Sequence, residues 1–258
     1  MVSRTYPPSF SHDLRKEHGG IKPPELCFEL LKSYGNSCSR VLDPFAGVGS
    51  TLVACSLAGK DGVGIELNER WGNIYQEVCK QNGLKEQEWF TGDSRTVLQN
   101  FPDNSFDFLL TDIPYYSMDK LKHTRGKFSR AGEESEEKLP SSLKIFNEEP
   151  IPTKTEWLSL LKSVFKECHR VLSPNAVVLV FIGNMYRNVE QPNSKPRKKI
   201  GLYHMLSAEV AQVIAEEGFT HIQELVWLDT GKKLGIYGYP FAWIPSMVDQ
   251  RIQVFLKE

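Results

Sequence analysis

Four times before residue 113 the chain passes through a short apolar run and halts at an acid. Val41 and Leu42 lead to Asp43, a strand predicted over Asp61 to Glu66 ends at that acid, Trp89 to Thr91 lead to Gly92 and Asp93, and the run from Phe106 to Leu110 leads to Asp112. Helical signals lie between the first three. An apolar segment follows a glycine-rich turn and runs through Ala58, and a second segment is opened by Asn68 and closed by Asn82 and Gly83. Strands alternating with helices at this spacing specify parallel βαβ units in a doubly wound α/β sheet with helices on both faces. Ligands of such sheets bind outside the carboxyl ends of the strands. The four acids are therefore expected along one edge, where side chains can meet a ligand.

The remaining chain extends this pattern. Residues 1–20 are polar, carry Pro7-Pro8 and Gly19-Gly20, and read as an irregular arm. A helix is predicted over 24–34, with Pro24 at its start, Gly35 after its end, and Leu26, Leu30 and Leu31 near one face. Further helices are predicted over 155–172 and 205–217, and strands over 176–182, 222–228 and 251–256. Three stretches lack periodicity: 117–154, 186–203 and 229–248. With 258 residues, 40% of them hydrophobic, and no internal repeat, one domain over 1–258 is expected. No apolar run approaches the ~20 residues of a membrane helix. The start lacks a signal-peptide core, so a cytoplasmic protein is expected.

Cys27, Cys38, Cys55, Cys79 and Cys168 form no Cys-x-x-Cys pair, which argues against a zinc site and a disulfide framework. No metal is expected. The formal net charge of −1 gives no global attraction to a polyanion, so a nucleic acid would have to be held by local basic patches. Two patches exist. Lys120, Lys122, Arg125, Lys127 and Arg130 occupy the first irregular stretch, and Lys195, Arg197, Lys198 and Lys199 the second.

The turn from Asp43 to Thr51 carries Gly47-x-Gly49 without a third glycine two residues on, so a dinucleotide fingerprint is incomplete. No Gly-Lys-Ser/Thr follows it, so it is not a phosphate loop. Glu66 at the end of the second strand can accept hydrogen bonds from ribose hydroxyls. Asp93 can accept from the amine of an adenine, although such an acid alone more often caps the helix that begins at Ser94. Three acids at successive strand ends describe an adenosine-bearing ligand with no required phosphate. Asp112-Ile-Pro-Tyr115, a carboxylate beside a stiffened backbone and a ring, suits a flat substrate that bears an amine.

Asp43-Pro-Phe-Ala-Gly-Val-Gly-Ser-Thr51 resembles the Asp-Pro-Phe-x-Gly-x-Gly-Thr-Thr motif of S-adenosylmethionine-dependent DNA amino-methyltransferases. Asp112-Ile-Pro-Tyr115 resembles their catalytic Asp/Asn/Ser-Pro-Pro-Tyr/Phe, and His18 to Leu26 their His-Pro-x-x-Lys-Pro cofactor segment. The resemblance covers most of the chain. It implies the class I, Rossmann-like methyltransferase fold: a seven-stranded, mostly parallel sheet in the order 3-2-1-4-5-7-6 with the last strand antiparallel. It implies S-adenosyl-L-methionine as cofactor, with Lys22 and Pro23 at its methionine end. Asp43, Pro44, Phe45, Ala46, Gly47, Gly49, Ser50 and Thr51 would form the cofactor turn, joined by Glu66, Asp93 and Ser94.

By the same resemblance Asp112 and the Ile113 carbonyl accept the two hydrogens of a base amine, Pro114 stiffens the segment and Tyr115 stacks on a flipped base. Ile113 stands where the family usually has proline; the carbonyl survives and ring rigidity is lost. The implied partner is double-stranded DNA, with a cognate restriction endonuclease as a second candidate. Lys120, Lys122, Arg125, Lys127, Arg130, Arg197, Lys198 and Lys199 are the candidate phosphate contacts, and Tyr239 and Trp243 candidate walls of the base pocket. Cytosine N4 and adenine N6 both remain open as targets. RNA base methylation, protein glutamine methylation and a catalytically silent, cofactor-binding subunit are the competing readings.

Overall fold

Alternate residues of the apolar runs serve opposite faces of one sheet, which is why both neighbours in each run are buried. Leu42, Phe106, Leu109, Val178 and Val180 join one core, and Val41, Phe108, Leu110, Leu179 and Phe181 join the other. The computed structural model describes residues 2–114, 153–190, 199–230, 236–237, 244–245 and 249–258. The strands are β1 (Val2–Ser3), β2 (Arg40–Asp43), β3 (Asp61–Glu66), β4 (Glu88–Thr91), β5 (Phe106–Asp112), β6 (Leu172–Ile182), β7 (Met185–Glu190), β8 (Lys199–His204), β9 (Phe219–Leu228), β10 (Ile236–Tyr237), β11 (Ile244–Pro245) and β12 (Asp249–Lys257). The helices are α1 (His12–Arg15), α2 (Pro24–Tyr34), α3 (Ser50–Ala58), α4 (Glu69–Asn82), α5 (Ser94–Val97), α6 (Lys154–Val171) and α7 (Leu206–Glu216).

The main sheet has the order β1-β9-β12-β6-β5-β2-β3-β4. Strands β2 to β6 run parallel where they pair, and β12 runs antiparallel to both β6 and β9. Without β1, counting from β4, this is the 3-2-1-4-5-7-6 order of the class I methyltransferase fold. The expected seven strands are all present in that order, and β1 adds a two-residue eighth strand at the edge. Val2 and Ser3 lie parallel to Trp227 and Leu228, and two residues are too few to leave a period in the sequence. Residues of α6 and α7 such as Trp157, Phe165 and Val210 cover one face, while Leu26, Leu30 and Ala54 of α2 and α3 cover the other. Tyr75 and Val78 of α4 pack on Leu52 and Val53 of α3.

Local signals set the ends of the helices. The Asn68 side chain accepts from the Arg70 amide at the start of α4, and Gly83 closes the helix at φ +61°. Thr153 caps α6 through its hydrogen bond from the Glu156 amide. A correction concerns the stretch 186–203. Most of it forms β7 and β8, an antiparallel hairpin registered from Met185 opposite His204 to Glu190 opposite Lys199. The stretch 229–248 contains the short antiparallel pair β10 and β11. These strands lack a long apolar alternation, so their pairing is set by tertiary contacts that a local pattern does not carry. Among the described residues no helix is long and apolar enough to cross a membrane.

Candidate active site

The glycine-rich turn leaves β2 at Asp43 and enters α3 at Ser50. Gly47 and Gly49 have φ of +52° and +76°, a region that side chains disfavour. At Gly49 a Cβ would stand 2.2 Å from the Tyr75 ring, so α4 backs the turn closely enough to exclude any side chain there. The Ala46 amide donates to the Ile65 carbonyl at 2.9 Å, and the Gly47 amide to Glu66 Oε2 at 2.9 Å. Glu66 Oε1 accepts from the Asn68 amide at 3.1 Å. The acid at the end of β3 thus fixes the turn after β2 as well as the start of α4. Burial pushes its pKa up to about 7. The next residue, Leu67, is apolar and 54% exposed.

Asp43 lies beneath the turn. Its Oδ1 accepts from Thr111 Oγ1 at 2.6 Å and from the Phe45 amide at 3.1 Å, which ties β2 to β5. Burial raises its pKa to about 6 against these hydrogen bonds. Thr51 Oγ1 donates to the Leu110 carbonyl at 3.2 Å. Ser94 donates to the Pro44 carbonyl and so joins the end of β4 to the same turn. Asp93 caps α5 through the Arg95 amide at 2.8 Å and pairs with the Arg95 guanidinium, which holds its carboxyl below the usual range.

The N-terminal arm closes over the turn. Arg15 is buried, and its Nη2 donates to the Lys22 carbonyl at 2.7 Å and to Ser50 Oγ at 2.6 Å. Ser50 Oγ itself donates to the Lys22 carbonyl at 2.9 Å. His18 stands where a Cβ at Gly47 would lie 3.3 Å from its Nε2, and meets Trp71 edge-on at 4.9 Å. Burial, with Lys22 and Arg15 nearby, pushes the His18 pKa down to about 4. Lys22 is 5% exposed, and its ammonium pairs with Asp112 Oδ2. The same ammonium lies 5.6 Å from the centre of the Phe181 ring.

Asp112 is the last residue of β5. Its Oδ1 is buried and has no hydrogen-bond partner among the described residues. Burial raises the Asp112 pKa and Lys22 lowers it in part. Ile113 is 1% exposed and joins the core that contains Trp157, so an aliphatic side chain is accommodated where the motif usually has a proline ring. Pro114 offers its carbonyl to Trp157 Nε1 at 2.6 Å.

His18, Lys22, Asp43, Gly47, Asp112 and Phe181 are among the residues that line one cavity. The arm, the turn and the end of β5 therefore converge on one cavity. Glu66 reaches this site through Gly47, while Asp93 and Ser94 stand at the neighbouring strand end. The lining brings the Lys22 ammonium together with the buried Asp43 and the half-buried Asp112, a donor set that fits a ligand carrying both a carboxylate and positive centres, as S-adenosylmethionine does. Tyr115, Lys120, Lys122, Arg125, Lys127, Arg130, Arg197, Lys198, Tyr239 and Trp243 lie outside the described residues. Lys199 opens β8 through backbone pairing. Arg15 and Trp157 were not expected at the site; one falls in a polar arm and the other in an amphipathic helix, and neither position carries a local signal.

The family model described as DNA methylase matches residues 2–77 and 106–238. A tRNA (guanine(10)-N2)-dimethyltransferase of Pyrococcus abyssi is 28% identical over 113 residues, 44% of this chain and 34% of that protein. The type II methyltransferase M.MthZI of Methanothermobacter thermautotrophicus is 30% identical over 66 residues, 26% of this chain and 19% of that protein. The aligned stretches thus span about a third or less of these two curated relatives. The crystal structure of TrmN from Thermus thermophilus superposes with a TM-score of 0.55 at 16% identity, covering 95% of this chain and 52% of that one. At that identity the likeness is one of fold.

Proposed function

The chain belongs to the DNA methylase family, and from that premise we propose that it transfers a methyl group from S-adenosyl-L-methionine to an exocyclic amine of a base in double-stranded DNA. The target is cytosine N4 or adenine N6. The observation that carries this reading is Asp112: a carboxylate at the carboxyl end of β5, with one buried oxygen unpartnered among the described residues, lining the same cavity as the glycine-rich turn.

An aromatic amine is a weak nucleophile because its lone pair is delocalised into the ring. The Asp112 carboxylate accepts a hydrogen bond from that amine and stabilises the positive charge that develops on it, an effect strengthened in a buried setting. The Ile113 carbonyl supplies a second acceptor, and Tyr115 a stacking surface for an unstacked base. Glu66 offers acceptors for ribose hydroxyls, Asp93 and Ser94 polar groups for the adenine edge, and Leu67 an apolar wall. Lys22 and the 43–51 turn hold the methionine end. When bound, the cofactor supplies an electrophilic methyl on a sulfonium centre. The basic residues 120–130 and 197–199 contact phosphates, whose recognition is salt-dependent.

A second reading, methylation of an RNA base amine, is favoured by the similarity to a tRNA (guanine(10)-N2)-dimethyltransferase. Tritiated methyl transfer to unmodified genomic DNA, RNA and protein, followed by base-resolution detection, separates the readings and identifies the base. Asp112→Ala should abolish transfer and leave cofactor binding largely intact. Retention of transfer in that variant would remove the catalytic assignment. Cofactor binding without transfer to any substrate would favour a silent subunit.

A further inference from the structure

We infer that Lys22 is a positioning residue for Asp112: by tying down one carboxylate oxygen it fixes the orientation and keeps the charge of the group that meets the substrate amine. The consequence for catalysis rests on the methyl-transfer reading; the pairing itself does not. It also gives Lys22 a role distinct from contact with the methionine end of the cofactor.

Two features hold Lys22 in place. Its carbonyl is clamped by Arg15 and Ser50, and its ammonium lies between Asp112 Oδ2 and the Phe181 ring, with the Gly20 carbonyl 3.5 Å away. Asp112 Oδ1 is left buried, with no partner among the described residues. The two oxygens of one carboxylate are therefore unequal: one is committed to the arm, and one is enclosed without a partner among the described residues. Charge assistance makes the first contact strong enough to set the plane of the group.

The surroundings leave this work to Lys22. Asp43, from β2, opposes a charge on Asp112. Cys27, from α2, is pushed up to about 12 by burial and is a neutral thiol. His18, on the arm, is pushed down to about 4 and is a neutral imidazole at pH 7. Arg15 directs its Nη2 to Lys22 and Ser50. Among the described residues Lys22 is the cation that contacts Asp112, and loss of its ammonium leaves a buried carboxylate that gains a proton more readily.

The test compares the parent chain with Lys22→Met, which keeps the aliphatic stem, and Lys22→Arg, which keeps the charge. Carboxyl-13C aspartate labelling follows Asp112 by NMR, assigned by difference against Asp112→Asn, while kcat is measured against pH at saturating cofactor and DNA. Lys22→Met should raise the Asp112 midpoint by about 1 to 3 pH units and move the acid limb of kcat by the same amount. Transfer falls on the acid side of the profile and recovers as pH rises, and Lys22→Arg retains the parent profile. Melting curves establish that each variant is folded; if Lys22→Met is not, Lys22→Gln takes its place.

An unmoved midpoint overturns the inference. So does a rise in cofactor Kd as the sole effect, with kcat and its acid limb unchanged. A moved midpoint in a parent chain that transfers methyl to no nucleic acid upholds the hold of Lys22 on Asp112 and sinks the methyl-transfer reading instead.

Discussion

Trp157 Nε1 donates to the Pro114 carbonyl at 2.6 Å, so a residue in the first turn of α6 fixes the backbone that follows Asp112. Trp157→Phe removes the donor while keeping an aromatic ring. A carbonyl left unsatisfied in this way costs about 1–3 kcal/mol. Because it adjoins the Ile113 carbonyl, kcat should fall by about tenfold or more, with cofactor Kd unchanged. Urea denaturation and steady-state kinetics measured together check this; loss of stability with an unaltered kcat would confine Trp157 to packing.

Ile113→Pro restores the residue that the motif usually carries. Ile113 is nevertheless packed in the core around Trp157, and proline does not fill the volume of its side chain. The expected result is destabilisation by about 2–4 kcal/mol, as for other core truncations. No gain in kcat is expected. A faster, equally stable variant would show instead that rigidity at this position limits the parent.

Gly49→Ala places a methyl group against Tyr75 in a backbone conformation that L-residues disfavour. The two effects together should cost at least about 2 kcal/mol. Cofactor binding, followed by calorimetry, should weaken even in the fraction that remains folded, because the turn must move away from α4. Unchanged affinity would mean that the turn does not form the cofactor site.

Asp43 and His18 give opposite dependences of stability on pH. The folded pKa of Asp43 is raised from 3.8 to about 6, so the native state binds the extra proton and stability declines as pH rises through that window. The folded pKa of His18 is lowered from 6.5 to about 4, so the unfolded state binds more protons and stability declines as pH falls through that window. Relative to the parent, Asp43→Asn should gain stability as pH rises from about 4 to 6, and His18→Asn should gain stability as pH falls from about 6.5 to 4. Chemical denaturation across this range gives the sign of each difference.

The parts of the fold legible in the sequence are those specified locally. Pro24 opens α2 and Gly83 closes α4 where expected, and β3 has the predicted bounds because a continuous apolar run ends in an acid. The hairpin of β7 and β8 was not legible, since its strands choose each other across an intervening segment rather than by an alternation of their own. The site divides the same way. Strand-end acids were visible because topology puts them on one edge. The partnerships of Arg15 with Ser50 and of Trp157 with Pro114 join distant parts of the chain and leave no spacing to read. Asp93 was legible as an acid at a strand end, but its pairing with Arg95 depends on side-chain conformation, which composition does not encode.

The turn between Asp43 and Ser50 is held by the Glu66 carboxylate, by Ser94 and by the Tyr75 ring behind it, all supplied by the protein itself. Its shape is thus settled during folding rather than at the moment of encounter. A ligand arriving there meets a mould already set, and most of its affinity can go into contacts instead of into ordering the chain.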